Sequence, residues 1–144
     1  MVELAMVLLL GAAPVCGAKA PEDALRRIEE AYQTKDVELA VACKDFDREA
    51  RLMLDQLRPG MSSDADLLHK TADTLEQAYR AEVKKTGLPD MKGMQCTVTK
   101  KEPGPGDLVR LTERCVRPDK KESVDVVTVA PSKAGWRLVI TPGG

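Results

Sequence analysis

Hydrophobic positions after residue 20 change from helical spacing to strand spacing along the chain. Leu25, Ile28 and Tyr32 recur every three or four residues after Pro21, which predicts a first helix. A second helix is predicted from Asp36 onward, because apolar residues continue at intervals of three and four. The stripe of this second helix is Leu39, Cys43, Phe46, Ala50, Met53 and Leu57.

A third helix is predicted after a serine-rich turn. Ser63 and Asp66 have the spacing of a capping box, and Gly87 with Pro89 ends the periodic segment. The stripe of this third helix is Leu68, Ala72, Leu75, Tyr79 and Val83.

From Met94 onward the apolar residues alternate with polar ones, which predicts strands. Short turns rich in Pro, Gly, Asp and Lys separate four such segments, and short connections of this kind favour an antiparallel meander. The fold class predicted is therefore α+β, with three N-terminal helices packed on one face of a four-stranded antiparallel sheet.

The alternation also limits how the first two strands pair. Directly opposed residues of an antiparallel pair point to the same face, so the apolar faces match when paired residue numbers have an odd sum. Pairing Cys96 with Cys115 satisfies this condition, and it places Val98 opposite Glu113 and Lys100 opposite Leu111. A shift of two residues preserves the same faces, so the pattern permits the cysteine pair without requiring it.

The N-terminal segment predicts export. An apolar run from Leu4 to Val15 is followed by small residues, as in a secretory signal peptide, although no Lys or Arg precedes it. We predict a signal peptide over residues 1–18, cleaved near 18–20, and a single domain over 19–144 in the periplasm or outside the cell. A buried N-terminal helix of a cytosolic protein and a lipoprotein anchored through Cys16 are the alternatives.

Export makes disulfides relevant to the remaining cysteines. Register and an oxidising compartment favour a Cys96–Cys115 disulfide. Cys43 is then a free thiol or pairs with Cys96 or Cys115, while the simplest alternative treats all three as small buried hydrophobes. A zinc site that adds His69 is weaker, because none of these residues has the close spacing of zinc modules.

Composition excludes several classes of function. The formal net charge of −1 gives no bulk attraction for nucleic acid or anionic membrane.

No catalytic, cofactor-binding or metal-binding residue is assigned: His69 is predicted to face solvent, and acidic pairs such as Glu29 and Glu30 are interpreted as solvated helix faces. The basic face of the hairpin is interpreted as edge protection, or else as a docking patch for an acidic partner.

Two segments resemble a known family. The segment PEDALRRIEEAYQTKDVELAVACKDF resembles the opening helices of NTF2-like domains, and KAGWRLVI resembles their terminal strand. The chain lacks a strand or hairpin between Leu57 and Ser63, so it is more similar to a small exported branch with helices first and strands last. The resemblance implies a cone-shaped fold with a pocket between helices and sheet, and enzymes of the family place acidic or histidine residues in that pocket.

The leading functional hypothesis is a small exported domain that binds a small ligand or a protein, without catalytic machinery or cofactor. Dimerisation through the sheet is a further hypothesis about its partners. The first alternative is an NTF2-like enzyme that uses a buried carboxylate, which a raised carboxyl pKa in a deep pocket would favour. The second alternative is a structural subunit of an envelope assembly, which would expose an apolar patch or a dimer interface.

Overall fold

The computed structural model describes residues 13–141, so residues 1–12 of the predicted signal peptide lie outside the described part. Four α-helices precede four strands, as the α+β prediction requires. The elements in chain order are α1 (Pro21–Thr34), α2 (Val37–Ala42), α3 (Phe46–Leu57), a 3₁₀ turn (Met61–Ser63), α4 (Ala65–Thr86), β1 (Gln95–Pro103), β2 (Val109–Val116), β3 (Glu122–Ala130) and β4 (Arg137–Val139). Within residues 13–141, no helix combines the length and the apolar character that crossing a membrane requires.

Helix α1 forms where the sequence predicts it. Pro21 occupies its first turn, and Glu22 and Asp23 place carboxylates near the positive end of the helix dipole. Lys35 ends the helix in a left-handed conformation, with φ of 58°. Its buried face packs against the sheet and consists of Pro21, Ala24, Leu25, Ile28 and Ala31.

The predicted second helix is two helices, α2 and α3. The side chain of Asp45 accepts a hydrogen bond from the Arg48 backbone amide at 2.9 Å and so caps a new helix. Between the two helices, the chain pairs with β4: the Leu138 amide donates to the Cys43 carbonyl at 2.7 Å, and the Asp45 amide donates to the Leu138 carbonyl at 2.8 Å. The new helix axis buries Leu54 and leaves Leu57, predicted to be in the core, 73% exposed.

Helix α4 begins one residue later than the predicted cap. Asp64, rather than Ser63, accepts the hydrogen bond from the Leu67 amide, at 3.1 Å. The helix packs mainly on α3 and α2, and Ala72 is its buried residue. It therefore forms an outer layer on the other helices, although the sequence placed all three helices directly on the sheet.

The sheet is an antiparallel meander in the order β1-β2-β3-β4, as predicted. Cys96 is opposite Cys115 and Val98 is opposite Glu113, in the predicted register. A bulge at Thr99 then shifts the pairing by one residue, so Lys100 lies opposite Thr112 rather than Leu111.

The chain before α1 is part of the folded domain. Cys16 and Ala18 are 4% and 2% exposed, and the Trp136 amide donates to the Ala18 carbonyl at 2.9 Å. Gly135 permits this close approach, because it has a φ of +94° and a Cβ there would overlap the Ala18 carbonyl oxygen. Residues 16–18 therefore contact both α1 and the end of the sheet, although the prediction placed them at the cleavage region of a signal peptide.

Candidate functional site

The two cysteines of the β1–β2 hairpin face each other on the side of the sheet that α1 covers. Their Cα atoms are 4.0 Å apart and their sulfurs form a disulfide. Cys96 is partly exposed, whereas Cys115 is 5% exposed. The structure therefore contains the Cys96–Cys115 disulfide that the strand register and the predicted compartment favour.

Cys43 is neither free nor paired with the hairpin, which corrects the sequence interpretation. It forms a disulfide with Cys16, with their Cα atoms 4.8 Å apart. Cys16 had been left out of the pairing because it was assigned to the signal peptide. The zinc arrangement is contradicted as well, because its three cysteines are all bonded to other cysteines, and His69 lies on the exposed side of α4 beside Asp73.

Two carboxyl groups meet beside the hairpin disulfide. Carboxyl oxygens of Glu29 and Glu113 and the sulfurs of Cys96 and Cys115 all lie within 4.8 Å of one another. The open groove above them has a volume of about 500 Å³, and we call it the carboxyl cleft. Its lining is Glu22, Leu25, Arg26, Glu29, Cys96, Thr97, Val98, Thr99, Lys100, Lys101 and Glu113.

The fold forces these carboxyls together. Glu113 occupies an inward position of β2, two residues from both Leu111 and Cys115, and is 8% exposed. Glu29 follows the buried Ile28 on α1 and so lies at the margin of the face that packs on β2. One signal was visible in the sequence, since Glu113 interrupts the apolar alternation of its strand. The solvated-face interpretation of Glu29 was wrong.

The environment of Glu29 favours its neutral form. Burial is the largest cause that raises the pKa of Glu29, to about 8. Interaction with the Glu113 carboxyl, through a hydrogen bond and through charge repulsion, raises this pKa further, and the positive charge of Arg26 only partly lowers it. Its Oε2 atom is buried and has no hydrogen-bond partner within residues 13–141. Two carboxyls this close retain one proton between them near neutral pH. The cleft therefore holds an acid group whose proton is available in the range where enzymes use one.

We expect Glu29→Gln to flatten the pH dependence of stability. Folded Glu29 keeps its proton up to about pH 8, whereas in the unfolded chain it ionises near 4.5. The native state thus binds more protons between these values, and the free energy of unfolding of the wild type falls as pH rises through that window. Because the side chain is only partly buried, the expected loss is on the order of 1–2 kcal/mol.

Urea denaturation at pH 5 and pH 9 measures this difference. Glu30→Gln is the matched control, because Glu30 is the exposed neighbour on the same helix. Equal pH-dependent losses in the wild type and Glu29→Gln would contradict the assignment.

A second cavity lies between α1, α4 and the β3–β4 end of the sheet. Its volume is about 260 Å³, and we call it the tyrosine cavity. Its polar groups include the Tyr32 and Tyr79 phenols and the Lys44 ammonium, and burial raises the pKa of both phenols. The full lining is Ile28, Tyr32, Lys44, Tyr79, Val126, Val127, Thr128, Leu138, Val139, Ile140 and Thr141.

Lys44 is held rigidly at this cavity. Its side chain is 7% exposed, and its Nζ donates to Glu49 Oε1 at 3.0 Å. The same nitrogen lies 4.8 Å and 4.7 Å from the ring centroids of Phe46 and Tyr79. Glu49 Oε1 also accepts a hydrogen bond from the Ile140 amide at 3.0 Å. This network fixes the Lys44 ammonium, with Glu49 as its counter-ion, at the wall of a mainly apolar space.

The chain has a distant structural similarity to a known protein. No family model and no curated protein matches the sequence. One similar solved structure is a Campylobacter jejuni protein described as a "putative NTF2-like transpeptidase", at 13% sequence identity and a TM-score of 0.43. The match covers 85% of this chain and 100% of the other.

Proposed function

We propose that this chain is an exported domain that binds a small ligand in the tyrosine cavity. The observation that carries the proposal is a mainly apolar cavity with a single rigid ammonium and two partly buried phenols at its wall. Ligand sites commonly combine an apolar lining with a few fixed polar groups that orient the ligand.

The lining indicates the chemical class of the ligand. Ile28, Val127 and Leu138 offer apolar contacts, whereas Lys44 and the phenol hydroxyls offer donors. A ligand with an apolar body and one acceptor or anionic group satisfies both. The exposed side chains of Val126 and Ile140, 61% and 64% accessible, extend the apolar surface to the mouth of the cavity.

The fluorescent probe 1-anilinonaphthalene-8-sulfonate has this chemistry and tests the cavity. We expect saturable fluorescence enhancement with one site per chain. Val127→Phe places a larger side chain in the cavity and is expected to weaken binding by at least about tenfold, equivalent to 1.4 kcal/mol. Val124→Phe is the control, because Val124 is on the same strand, 63% exposed and outside the cavity lining. Equal loss in both variants, or none in Val127→Phe, would contradict the proposal, provided that circular dichroism gives the same fold.

The compartment is part of the proposal. The chain has two disulfides, and disulfides form and persist mainly in oxidising compartments. The apolar run up to Val15 is typical of a signal peptide. Attachment of lipid to Cys16 would require its sulfur, which the disulfide with Cys43 occupies. An exported, unlipidated chain is therefore the form that we propose.

We also propose self-association through β3. Strand β4 pairs only with Thr128–Ala130, so within the described residues the Glu122–Val127 edge of β3 carries no partner strand on that side. Val124 and Val126 are exposed along this edge, and an open apolar edge favours pairing with another strand. Sedimentation equilibrium tests the proposal, and a monomer at high micromolar concentration would contradict it.

A second candidate function is proton transfer by Glu29 in the carboxyl cleft. It corresponds to an enzyme that uses a buried carboxylate, and the raised pKa of Glu29 favours it. This cleft and the tyrosine cavity share no lining residue, so the two candidate functions can be tested separately.

A further inference from the structure

We propose that the Cys96–Cys115 disulfide undergoes exchange with a small anionic thiol in the carboxyl cleft, and that the Glu29–Glu113 pair protonates the departing Cys115 sulfur. The inference rests on the second candidate function and names its substrate class. It is independent of the tyrosine cavity.

The two sulfurs differ in accessibility. Cys96 is partly exposed and lines the cleft, whereas Cys115 is 5% exposed and does not line it. A thiolate entering the cleft therefore reaches Cys96 first. Exchange proceeds by attack on one sulfur and departure of the other, so Cys115 is the leaving group.

The leaving sulfur meets an acid. A thiolate formed at a buried position beside carboxyl groups is disfavoured by desolvation and by repulsion. The carboxyl oxygens lie within 4.8 Å of Cys115 Sγ, and the proton that the pair shares neutralises the charge as it develops. The pKa of Glu29, about 8, is already below the ordinary thiol value of about 8.5, and a thiolate is further disfavoured at this position, so proton transfer from Glu29 to the sulfur is favourable.

The reaction balances without another reagent. The incoming thiolate sulfur forms a bond to Cys96 Sγ, and the Cys96–Cys115 bond breaks with its electron pair moving to Cys115. The Glu29–Glu113 pair transfers its proton to Cys115, which gives a thiol, and water returns a proton to the carboxyl pair. The products are a mixed disulfide on Cys96 and a free thiol at Cys115.

The rim of the cleft favours an anionic reagent. Arg26, Lys100 and Lys101 line it together with Glu22, and all three basic side chains are largely exposed. Each of the three is ion-paired, with Asp23, Glu102 and Glu22 respectively, so the rim carries little net charge. Exposed pairs of this kind are weak, and the basic groups can exchange these partners for the carboxylates of a small anionic thiol. Among the described residues, the charged or titratable groups around Glu29 include Glu22, Arg26, Tyr32, Lys100, Lys101 and Glu113, with Asp23 and Glu102 as the ion-pair partners of Arg26 and Lys100.

Glutathione is the probe, and the chain supplies its own control. The Cys16–Cys43 disulfide has sulfurs in residues that are 4% and 0% exposed. After timed exposure to glutathione, alkylation and peptide mass spectrometry report each cysteine separately. We expect glutathione on Cys96, an alkylated thiol at Cys115, and an intact Cys16–Cys43 disulfide.

Substitutions separate proton donation from accessibility. Glu29→Gln keeps a neutral side chain of the same shape but cannot supply the proton, and we expect exchange to slow at least about tenfold. The rate per glutathione thiolate is expected to fall as pH rises through about 8 in the wild type and to stay flat in Glu29→Gln. Lys100→Glu is expected to slow glutathione several-fold and 2-mercaptoethanol less, because the reactive thiolate of 2-mercaptoethanol carries one negative charge whereas that of glutathione carries a net charge of −2.

Equal reaction rates at the two disulfides, or modification at Cys115 rather than Cys96, would overturn the inference. An unchanged rate in Glu29→Gln would overturn the role of the carboxyl pair. Anilinonaphthalenesulfonate binding is measured on the same samples, so failure here is distinguishable from failure of the ligand site in the tyrosine cavity.

Discussion

Replacing both Cys16 and Cys43 by serine is expected to lower the free energy of unfolding by about 3.5 kcal/mol, because this disulfide closes a loop over a sequence separation of 27 residues. The crosslink restricts the unfolded chain, and the loss is independent of any ligand. A chain that begins at Lys19 is expected to lose more, because it also lacks the Ala18 carbonyl that accepts from the Trp136 amide.

Urea denaturation of three chains measures these differences. They are the chain from Ala13, the same chain with both serines, and the chain from Lys19. Reduction of the disulfides in the chain from Ala13 is the control. It should remove most of the difference in the free energy of unfolding between that chain and the serine variant. Coincident transitions for all three oxidised chains would contradict the structural role of Cys16.

The same disulfide bears on the processing site. Cleavage near residues 18–20 would remove Cys16 and leave Cys43 unpaired in the core, so the predicted site and this pair are mutually exclusive. In the exported form that we propose, we expect the mature chain to begin before Cys16. Its intact mass with and without reduction reports both the first residue and the number of disulfides.

Lys44→Ala is expected to destabilise the domain by about 3–5 kcal/mol, the cost of leaving a buried partner charge uncompensated. Glu49 would keep the Ile140 amide as a donor but would lose the one ion pair that it makes with the described residues, in a site where its side chain is 8% exposed. The Lys44→Met, Glu49→Leu double variant should lose less than Lys44→Ala, because it buries no isolated charge.

Lys100→Ala provides the matched comparison on the surface. Its ion pair with Glu102 joins side chains that are 64% and 41% exposed, so we expect a loss of less than about 1 kcal/mol. Chemical denaturation at pH 7 ranks the three variants. A Lys44→Ala loss no larger than that of Lys100→Ala would show that the network is unimportant for stability.

The strand half of the fold was predictable because its information is local. Alternation specified the faces, the turns specified the order, and the parity of Cys96 and Cys115 permitted the observed register. The helical half of the fold was less predictable from the sequence. Spacing ran unbroken through Cys43, and only the capping property of Asp45 and its pairing with β4 divide the segment.

The candidate sites depended on contacts between distant segments. The sequence shows Glu113 as a charged residue at an inward-facing position of its strand. The second carboxyl of the site, that of Glu29, comes from a helix more than eighty residues earlier in the chain. Periodicity within α1 cannot report what lies across from it. Cys16 was hidden for a different reason, since a signal-peptide pattern and a folded segment overlap at that residue.

The two disulfides also have a consequence for the order in which the chain matures. Each joins cysteines that are consecutive in the sequence, first Cys16 with Cys43 and then Cys96 with Cys115. In the exported form that we propose, the chain emerges from a membrane pore with its N-terminus first, so the first pair can form before the third cysteine appears. Native crosslinks can then accumulate without wrong pairs that must later be reshuffled, which removes a step that otherwise takes seconds to hours. The domain is thus suited to oxidative maturation without an isomerase.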